Sequence, residues 1–226
     1  PEVPNTVVDF SEQSATPLKL VGRDFDFSLS DHGSWSWSDA DQVIEDLPLP
    51  SIPGKHQLLN ASAVLEVVKL AQDRFPVSED VIRRALPKVM LKGRYQLFPG
   101  DVPILLDVAH NPQAVRMLCQ YLRSGLPYRR LHAVFSVMRD KDITEILDLM
   151  KGTVDVWYLA PLKMNRAAPP EVLADMLSEA GVSSVHMGHV DVKSAVELAK
   201  RNAVSGDLIL VFGSFFLVSE FLATCA

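Results

Sequence analysis

Leu105-Leu106-Asp107-Val108-Ala109-His110-Asn111-Pro112 is the stretch that decides the fold of this chain. The apolar run that leads into it, Pro103 to Leu106, is long enough for a buried strand. Its end, Asn111-Pro112, is typical of a helix start, where a capping residue precedes a proline at the first helical position. Apolar residues then recur at helical spacing. Asp107 and His110 are therefore predicted to lie in a turn between a strand and a helix.

A turn of this kind has a defined place in an open α/β sheet. It lies at the carboxyl end of the strand and faces the ligand crevice. The free N–H groups of the following helix favour an anion there. The alternative is that Asp107 and Asn111 only cap the helix, and the residues alone leave both interpretations open.

After residue 87 the pattern alternates between strands and helices. Strands are predicted over 131–137, 154–159, 183–187 and 208–212, and helices start at Asp142, Pro169-Pro170 and Asp191. This order indicates an α/β fold with a mainly parallel, doubly wound sheet. No G-x-G-x-x-G follows the first strand and no G-x-S-x-G occurs, which disfavours a conventional dehydrogenase or esterase.

The first half of the chain has a weaker pattern. Short strands are predicted over 5–10, 18–21 and 24–29. Trp35 and Trp37 share one face of a further strand, and we expect them in the core of a small sheet. A long helix is predicted from Lys55 to Arg74, and a short one begins at Ser78.

Composition excludes some classes of function. The chain has 226 residues, 48% of them hydrophobic, and a formal net charge of −6. Lys and Arg are scattered, so no nucleic-acid surface is predicted. Cys119 and Cys225 are far apart and are interpreted as reduced thiols of a cytoplasmic protein. The most apolar segment, Leu208 to Val218, is too short to span a bilayer, so no membrane partner is expected.

Three motifs carry a family resemblance. They are Gly54-Lys55-His56-Gln57-Leu58-Leu59-Asn60-Ala61, Gly93-Arg94-Tyr95-Gln96, and the Asp107 to Pro112 turn. Their order resembles the folylpolyglutamate synthase and dihydrofolate synthase family, of the bifunctional bacterial type, within the Mur ligase superfamily. Phe135 to Asp142 and Phe212 to Phe215 are similar to further family segments. Each motif alone is unspecific, whereas the ordered set is specific.

The resemblance implies an ATP-dependent amide ligase. ATP would phosphorylate the carboxylate of dihydropteroate, or of a folate's terminal glutamate, and L-glutamate would attack the acyl phosphate. By the same resemblance, Asn60 would contact the adenine side, Arg94 the phosphates, and Asp107 the ribose or the phosphate end of the nucleotide. His110 and Ser214 would lie on the glutamate side. The structural alternatives are a surface ion pair for Arg94 and a helix cap for Ser214.

The chain also departs from the family. No G-x-x-x-x-G-K-[ST] phosphate loop is present, because Gly54-Lys55 is followed by His56 and lacks the upstream glycine. The ligands of the expected Mg²⁺ are also assigned to a part that is absent. We therefore interpret residues 1–90 as the end of the central ATPase domain, with strands plus helices, and residues 91–226 as a Rossmann-like C-terminal glutamate ligase domain. The fragment alone is expected to be inactive, and the whole enzyme to be a monomer.

Two other functions remain open from the sequence. A non-catalytic module that binds a nucleotide or an amino acid would also have a crevice without a phosphate loop. Another Mur-type ligase, which joins an amino acid to a cell-wall precursor, would share the architecture. All three interpretations have small-molecule partners.

Overall fold

The computed structural model describes residues 3–225, except for the side chains of Lys55 and Ser124. It divides into two compact units, one up to Met90 and one from Leu91 onward. Among the described residues, none of the helices combines the length and the apolarity needed to cross a membrane.

The first unit contains a three-stranded antiparallel sheet in the order β1-β2-β3. Its elements are α1 (Asn5–Gln13), β1 (Phe25–Leu29), β2 (Ser34–Asp39), β3 (Val43–Pro48), α2 (Lys55–Leu70), α3 (Glu79–Ala85) and a 3₁₀ turn (Leu86–Lys88). Trp35 and Trp37 are fully buried and pack with Leu58 and Leu65 of α2. The prediction that the tryptophans form the core of a small sheet is confirmed.

Two predicted strands of this unit are wrong. Residues 5–10 belong to helix α1, and residues 18–21 contribute only an isolated bridge between Val21 and Phe25. Val7 and Val8 are branched at Cβ, which favours a strand. A strand needs a neighbour, however, and this segment pairs with none of the strands β1 to β3. The backbone of the α1 segment therefore satisfies its hydrogen bonds locally, as a helix.

The second unit contains a six-stranded sheet in the order β4-β5-β9-β6-β7-β8. Its elements are β4 (Gln96–Phe98), β5 (Ile104–Asp107), α4 (Pro112–Ser124), β6 (Leu131–Phe135), α5 (Ile143–Met150), β7 (Val156–Leu159), α6 (Pro170–Glu179), β8 (Val185–His186), α7 (Val192–Asn202), β9 (Leu208–Phe212) and α8 (Phe215–Thr224). Only β4 runs antiparallel to its neighbour. The predicted α/β fold with a mainly parallel, doubly wound sheet is confirmed.

Helix starts in this unit follow local capping chemistry. The side chain of Asn111 accepts the N–H of Ala114 at 2.9 Å and caps α4. Asp142 caps α5 in the same way, at 3.1 Å from the nitrogen of Glu145. Each cap satisfies one of the free N–H groups of the first turn, so these helices begin where the sequence predicts.

The last strand of the chain lies between the first two parallel strands. β9 pairs with β5 on one side and with β6 on the other. Leu106 and Val211 pack against α7 and α8, and because side chains alternate across a strand, Leu105 and Leu210 point to the opposite face. Helices α4 and α8 leave neighbouring strands toward opposite faces, which is the arrangement that opens a crevice at the carboxyl ends of β5 and β9.

Candidate functional site

Three turns of the second unit meet at this crevice. They are the turn at Gly93 to Tyr95 before β4, the turn between β5 and α4, and the start of α8 after β9. Asp107 pairs in register with Phe212, so the residues that follow these two strand ends lie at the same level of the sheet.

Asp107 is a buried carboxylate that binds two backbone N–H groups of the site. It is only 3% exposed, and its two carboxylate oxygens accept backbone hydrogen bonds. Oδ2 accepts the N–H of Tyr95 at 3.1 Å, and Oδ1 accepts the N–H of Ala109 at 2.8 Å. Asn111 caps α4 and Asp107 does not, so the helix-cap alternative holds for Asn111 alone.

The electrostatics of Asp107 point to more than a packing role. Burial raises the pKa of its carboxyl group, and the two backbone hydrogen bonds, Arg94 and His110 oppose that rise. An ionised carboxylate in this position costs folding free energy at neutral pH. Buried charges of this kind are concentrated at functional sites.

The turn that carries Arg94 accepts only glycine at its first position. Gly93 has φ +72°, and a Cβ there would lie 2.8 Å from Cγ1 of Val108 and 2.8 Å from Cγ1 of Val218. The N–H of Val108 also donates to the Gly93 carbonyl at 2.8 Å. Helix α8 and the β5–α4 turn therefore hold the backbone next to Arg94 from two sides.

Arg94 and His110 share an aromatic neighbour. The Arg94 Cζ atom lies 5.8 Å from the ring centre of Phe215, and the His110 ring centre lies 5.7 Å from it. Nδ1 of His110 donates to the Val108 carbonyl at 2.8 Å, which leaves Nε2 of the neutral ring as an acceptor. The surface ion pair considered for Arg94 is not seen among the described residues.

Ser214 closes the site from the β9 side. Its Oγ accepts the N–H of Leu217 at 3.1 Å, so it caps α8 as the structural alternative predicts. The hydroxyl keeps its own proton for a further acceptor. Gly213, with φ +116°, brings the chain so close to β6 that a Cβ would lie 2.5 Å from the Ser136 carbonyl oxygen.

The loop after β6 adds charge at the same edge of the sheet. Asp140 contacts Lys141 and Arg166, each at 3.0 Å, and these two cations lower the pKa of its carboxyl group to about 2. No group of three or more His, Cys, Asp or Glu residues that could hold a metal ion is found among residues 3–225.

Four of the five candidate residues thus belong to one edge of one sheet, namely Arg94, Asp107, His110 and Ser214. Asn60 belongs to the other unit, where it lies exposed on α2 and donates through Nδ2 to Oε1 of Gln57 at 3.1 Å. Phe215 is not among the candidate residues predicted from the sequence, although the Gly213-Ser214-Phe215 segment contains the candidate Ser214.

The fold and the site can be compared with models of known protein families. A family model described as "Mur ligase, glutamate ligase domain" matches residues 93–215, which is more than half of the chain. The chain belongs to the Mur ligase family. This finding confirms the resemblance that the motifs indicate.

Individual proteins of the family are similar to this chain over nearly its whole length. The dihydrofolate synthase/folylpolyglutamate synthase of Escherichia coli (strain K12) is 32% identical over 97% of this chain and 49% of its own length. A structure of E. coli FolC in complex with DHPP and ADP has a TM-score of 0.83 and 33% identity, and the match covers 99% of this chain and 51% of that one. A bifunctional folylpolyglutamate synthase/dihydrofolate synthase with Mn, AMPPNP and L-glutamate bound has a TM-score of 0.83, 31% identity and the same coverage. The chain spans about half the length of the curated relatives that it matches.

Proposed function

We propose that this chain is the glutamate-ligase half of an ATP-dependent enzyme that joins L-glutamate to dihydropteroate and to folate chains. The observation that carries the proposal is the match over nearly the whole chain to FolC structures solved with ADP or AMPPNP. In the proposed reaction, ATP phosphorylates the acceptor carboxylate. The amine of L-glutamate then attacks the acyl phosphate, and phosphate leaves as the amide forms.

The nucleotide side of the site is assigned to three residues. Arg94 binds the phosphates, because a guanidinium carries several N–H donors in a fixed plane. Asp107 binds the ribose or the phosphate end, and it also holds the Arg94 turn through the Tyr95 N–H. Asn60, in the first unit, is assigned to the adenine side of the nucleotide by the family resemblance alone. The positive end of the α4 helix dipole favours an anion at the same edge.

The glutamate side is assigned to His110 and Ser214. Nε2 of a neutral His110 can accept a hydrogen bond or a proton from the amine of glutamate. The Ser214 hydroxyl can donate to a glutamate carboxylate while its lone pair caps α8. Mg²⁺ accompanies ATP in this proposal, and we assign its protein ligands to residues outside this chain. The described residues include no cluster of His, Cys, Asp or Glu that could hold a metal ion.

The surface of α2 supports the assignment of residues 1–90 to a larger domain. Val64, Val67 and Leu70 recur at a spacing of three and are all exposed. Residues three apart share one face of a helix. A contiguous apolar face on a helix is typical of a surface that packs against another element. In the proposal that element belongs to the ATPase domain of a cytoplasmic, monomeric enzyme.

The test is turnover by the complete gene product that contains this chain. With ATP, Mg²⁺ and L-glutamate, we expect one ADP and one phosphate for each glutamate added to dihydropteroate or tetrahydrofolate. Glutamate addition to neither acceptor would overturn the proposal. Ligation of an amino acid to a cell-wall precursor would then indicate another Mur-type ligase, and binding without turnover would indicate a non-catalytic module.

Substitution of Arg94 tests the nucleotide site itself. Arg94→Ala removes a charge-assisted contact of about 1.5–3 kcal/mol, so we expect kcat/KM for ATP to fall by roughly 10- to 100-fold. Arg201→Ala, an exposed arginine on α7, is the matched control and should retain wild-type kinetics. Equal kinetics for the two variants would contradict the assignment of Arg94.

A further inference from the structure

Phe215 is a large aromatic residue that the fold does not bury. It is the first residue of α8 and is 54% exposed. Its neighbour Phe216 is 50% exposed and, among the described residues, has no ring or cation contact. Phe215 instead contacts the side chains of Arg94 and His110, and both residues belong to the candidate site.

The position of the Phe215 ring is set by the helix that carries it. Phe215 and Val218 are three residues apart and therefore share one face of α8. The Val218 side chain occupies the space that a Cβ on Gly93 would need. Phe215 contacts Arg94, which is the next residue of the same turn. One helix face thus contacts two consecutive residues of the Gly93–Tyr95 turn.

The second partner comes from the β5–α4 turn. The His110 ring is tilted by 57° relative to Phe215, with the ring centres 5.7 Å apart. A hydrogen bond from its Nδ1 to the Val108 carbonyl also restrains this ring. The Phe215 ring is therefore the common neighbour of side chains from the other two turns of the site.

We infer that Phe215 is a positioning residue whose ring holds the Arg94 guanidinium and the His110 imidazole together at the crevice. The face of an aromatic ring attracts a cation, and Arg is the most frequent partner. The ring restricts two flexible side chains before substrate binds, so less ordering remains to be done on binding. The consequence for ATP and glutamate binding rests on the proposed function, whereas the arrangement of the three side chains does not.

The first arm of the test measures the arrangement in the chain as it exists. Phe215→Leu keeps an apolar side chain and removes the aromatic face, and Phe216→Leu is the matched control. NMR relaxation reports the mobility of the Arg94 Nε–H and of the His110 ring C–H groups. We expect both groups to become more mobile in Phe215→Leu and to keep their wild-type mobility in Phe216→Leu and in Phe215→Tyr.

The second arm measures the ligase in the complete gene product. We expect Phe215→Leu to raise KM for ATP and for L-glutamate by about two- to fivefold each, the factor of an exposed cation–π contact. The kcat and the melting temperature should stay near the wild-type values, because the loss affects binding and the side chain is half exposed. Phe215→Tyr should restore KM, and Phe216→Leu should not change it.

The outcomes separate this inference from the proposed function. Unchanged mobility of the Arg94 and His110 side chains in Phe215→Leu overturns the inference, as does an equal rise in KM for Phe216→Leu. A lowered melting temperature with wild-type KM assigns Phe215 a structural role only. If the wild-type gene product has no ligase activity, the proposed function fails, and the NMR arm alone decides whether Phe215 positions the two side chains.

Discussion

Replacing Asp107 by asparagine removes one of its two acceptor oxygens, of which one binds the Arg94 turn and the other the β5–α4 turn. In the native protein the carboxylate oxygens accept the N–H groups of Tyr95 and Ala109 at 3.1 and 2.8 Å. Asparagine has a single acceptor oxygen. In either orientation of its amide, the NH₂ group therefore faces one of the two backbone N–H donors.

The size of the effect follows from the balance of three contributions. A hydrogen bond to a charged group contributes about 1.5–3 kcal/mol, and a buried N–H left without a partner costs about 1–3 kcal/mol. The substitution also removes a charge whose burial raises the pKa of Asp107, which returns part of this loss. We expect a net decrease of about 1–3 kcal/mol in the free energy of unfolding. In a chain of this size that corresponds to a melting temperature lower by roughly 3–10 °C.

Thermal unfolding and amide hydrogen exchange check this expectation. The melting temperature should fall, and the amide of either Tyr95 or Ala109 should exchange faster. Asp101→Asn, in the exposed loop before β5, is the control and should behave like the wild type. If Asp107→Asn melts with the control and both amides keep their protection, the carboxylate does not hold the turn and the reasoning is refuted.

Three further predictions concern other parts of the chain. Gly93→Ala should lower the free energy of unfolding by about 2 kcal/mol or more in denaturant titrations, because its Cβ would overlap side chains at a positive φ. Gly100→Ala is the control and should be nearly neutral, because the nearest atom to its Cβ is 3.6 Å away. His132 is buried between Asp207 and Tyr158, and burial lowers its pKa, so stability should be full above about pH 6.5 and fall below it. Melting temperatures at about pH 7.5 and about pH 5.5 should therefore differ more for the wild type than for His132→Gln. Finally, this chain alone should hydrolyse no ATP in a phosphate-release assay with L-glutamate and acceptor, since phosphoryl transfer needs positioned phosphates and a metal ion. Measurable turnover would contradict the proposal that this chain is only one half of the enzyme.

The parts of the structure that could be predicted from sequence are those set by local chemistry. The strand predicted over 208–212 is observed at Leu208–Phe212, because its residues are apolar and turn residues bound it. The start of α4 follows from Asn111-Pro112, whose cap and proline act within one turn. The failure at residues 5–10 has the converse cause, since a strand depends on a partner that the segment itself does not specify.

The candidate site could be predicted in part for the same reason. Arg94, Asp107, His110 and Ser214 are recognisable within short motifs, and the sheet brings their turns to one edge. The contacts that fix them are not local. The bond from the Tyr95 N–H to Asp107 depends on β4 pairing with β5. The approach of Phe215 to Arg94 depends on β9 lying beside β5. Hydrophobic periodicity predicts that strands exist but does not predict their order in the sheet.

The central place of β9 has a consequence for how the site forms during synthesis. Asp107 and Ser214 are more than 100 residues apart in the chain, yet their turns become neighbours only when the last strand enters between β5 and β6. Forming a contact between residues so distant in sequence costs loop-closure entropy, and such contacts therefore form slowly. A nascent chain that still holds β9 in the ribosome would have no crevice. Premature termination before residue 208 would then leave a chain with most of its helices and strands but without a complete site.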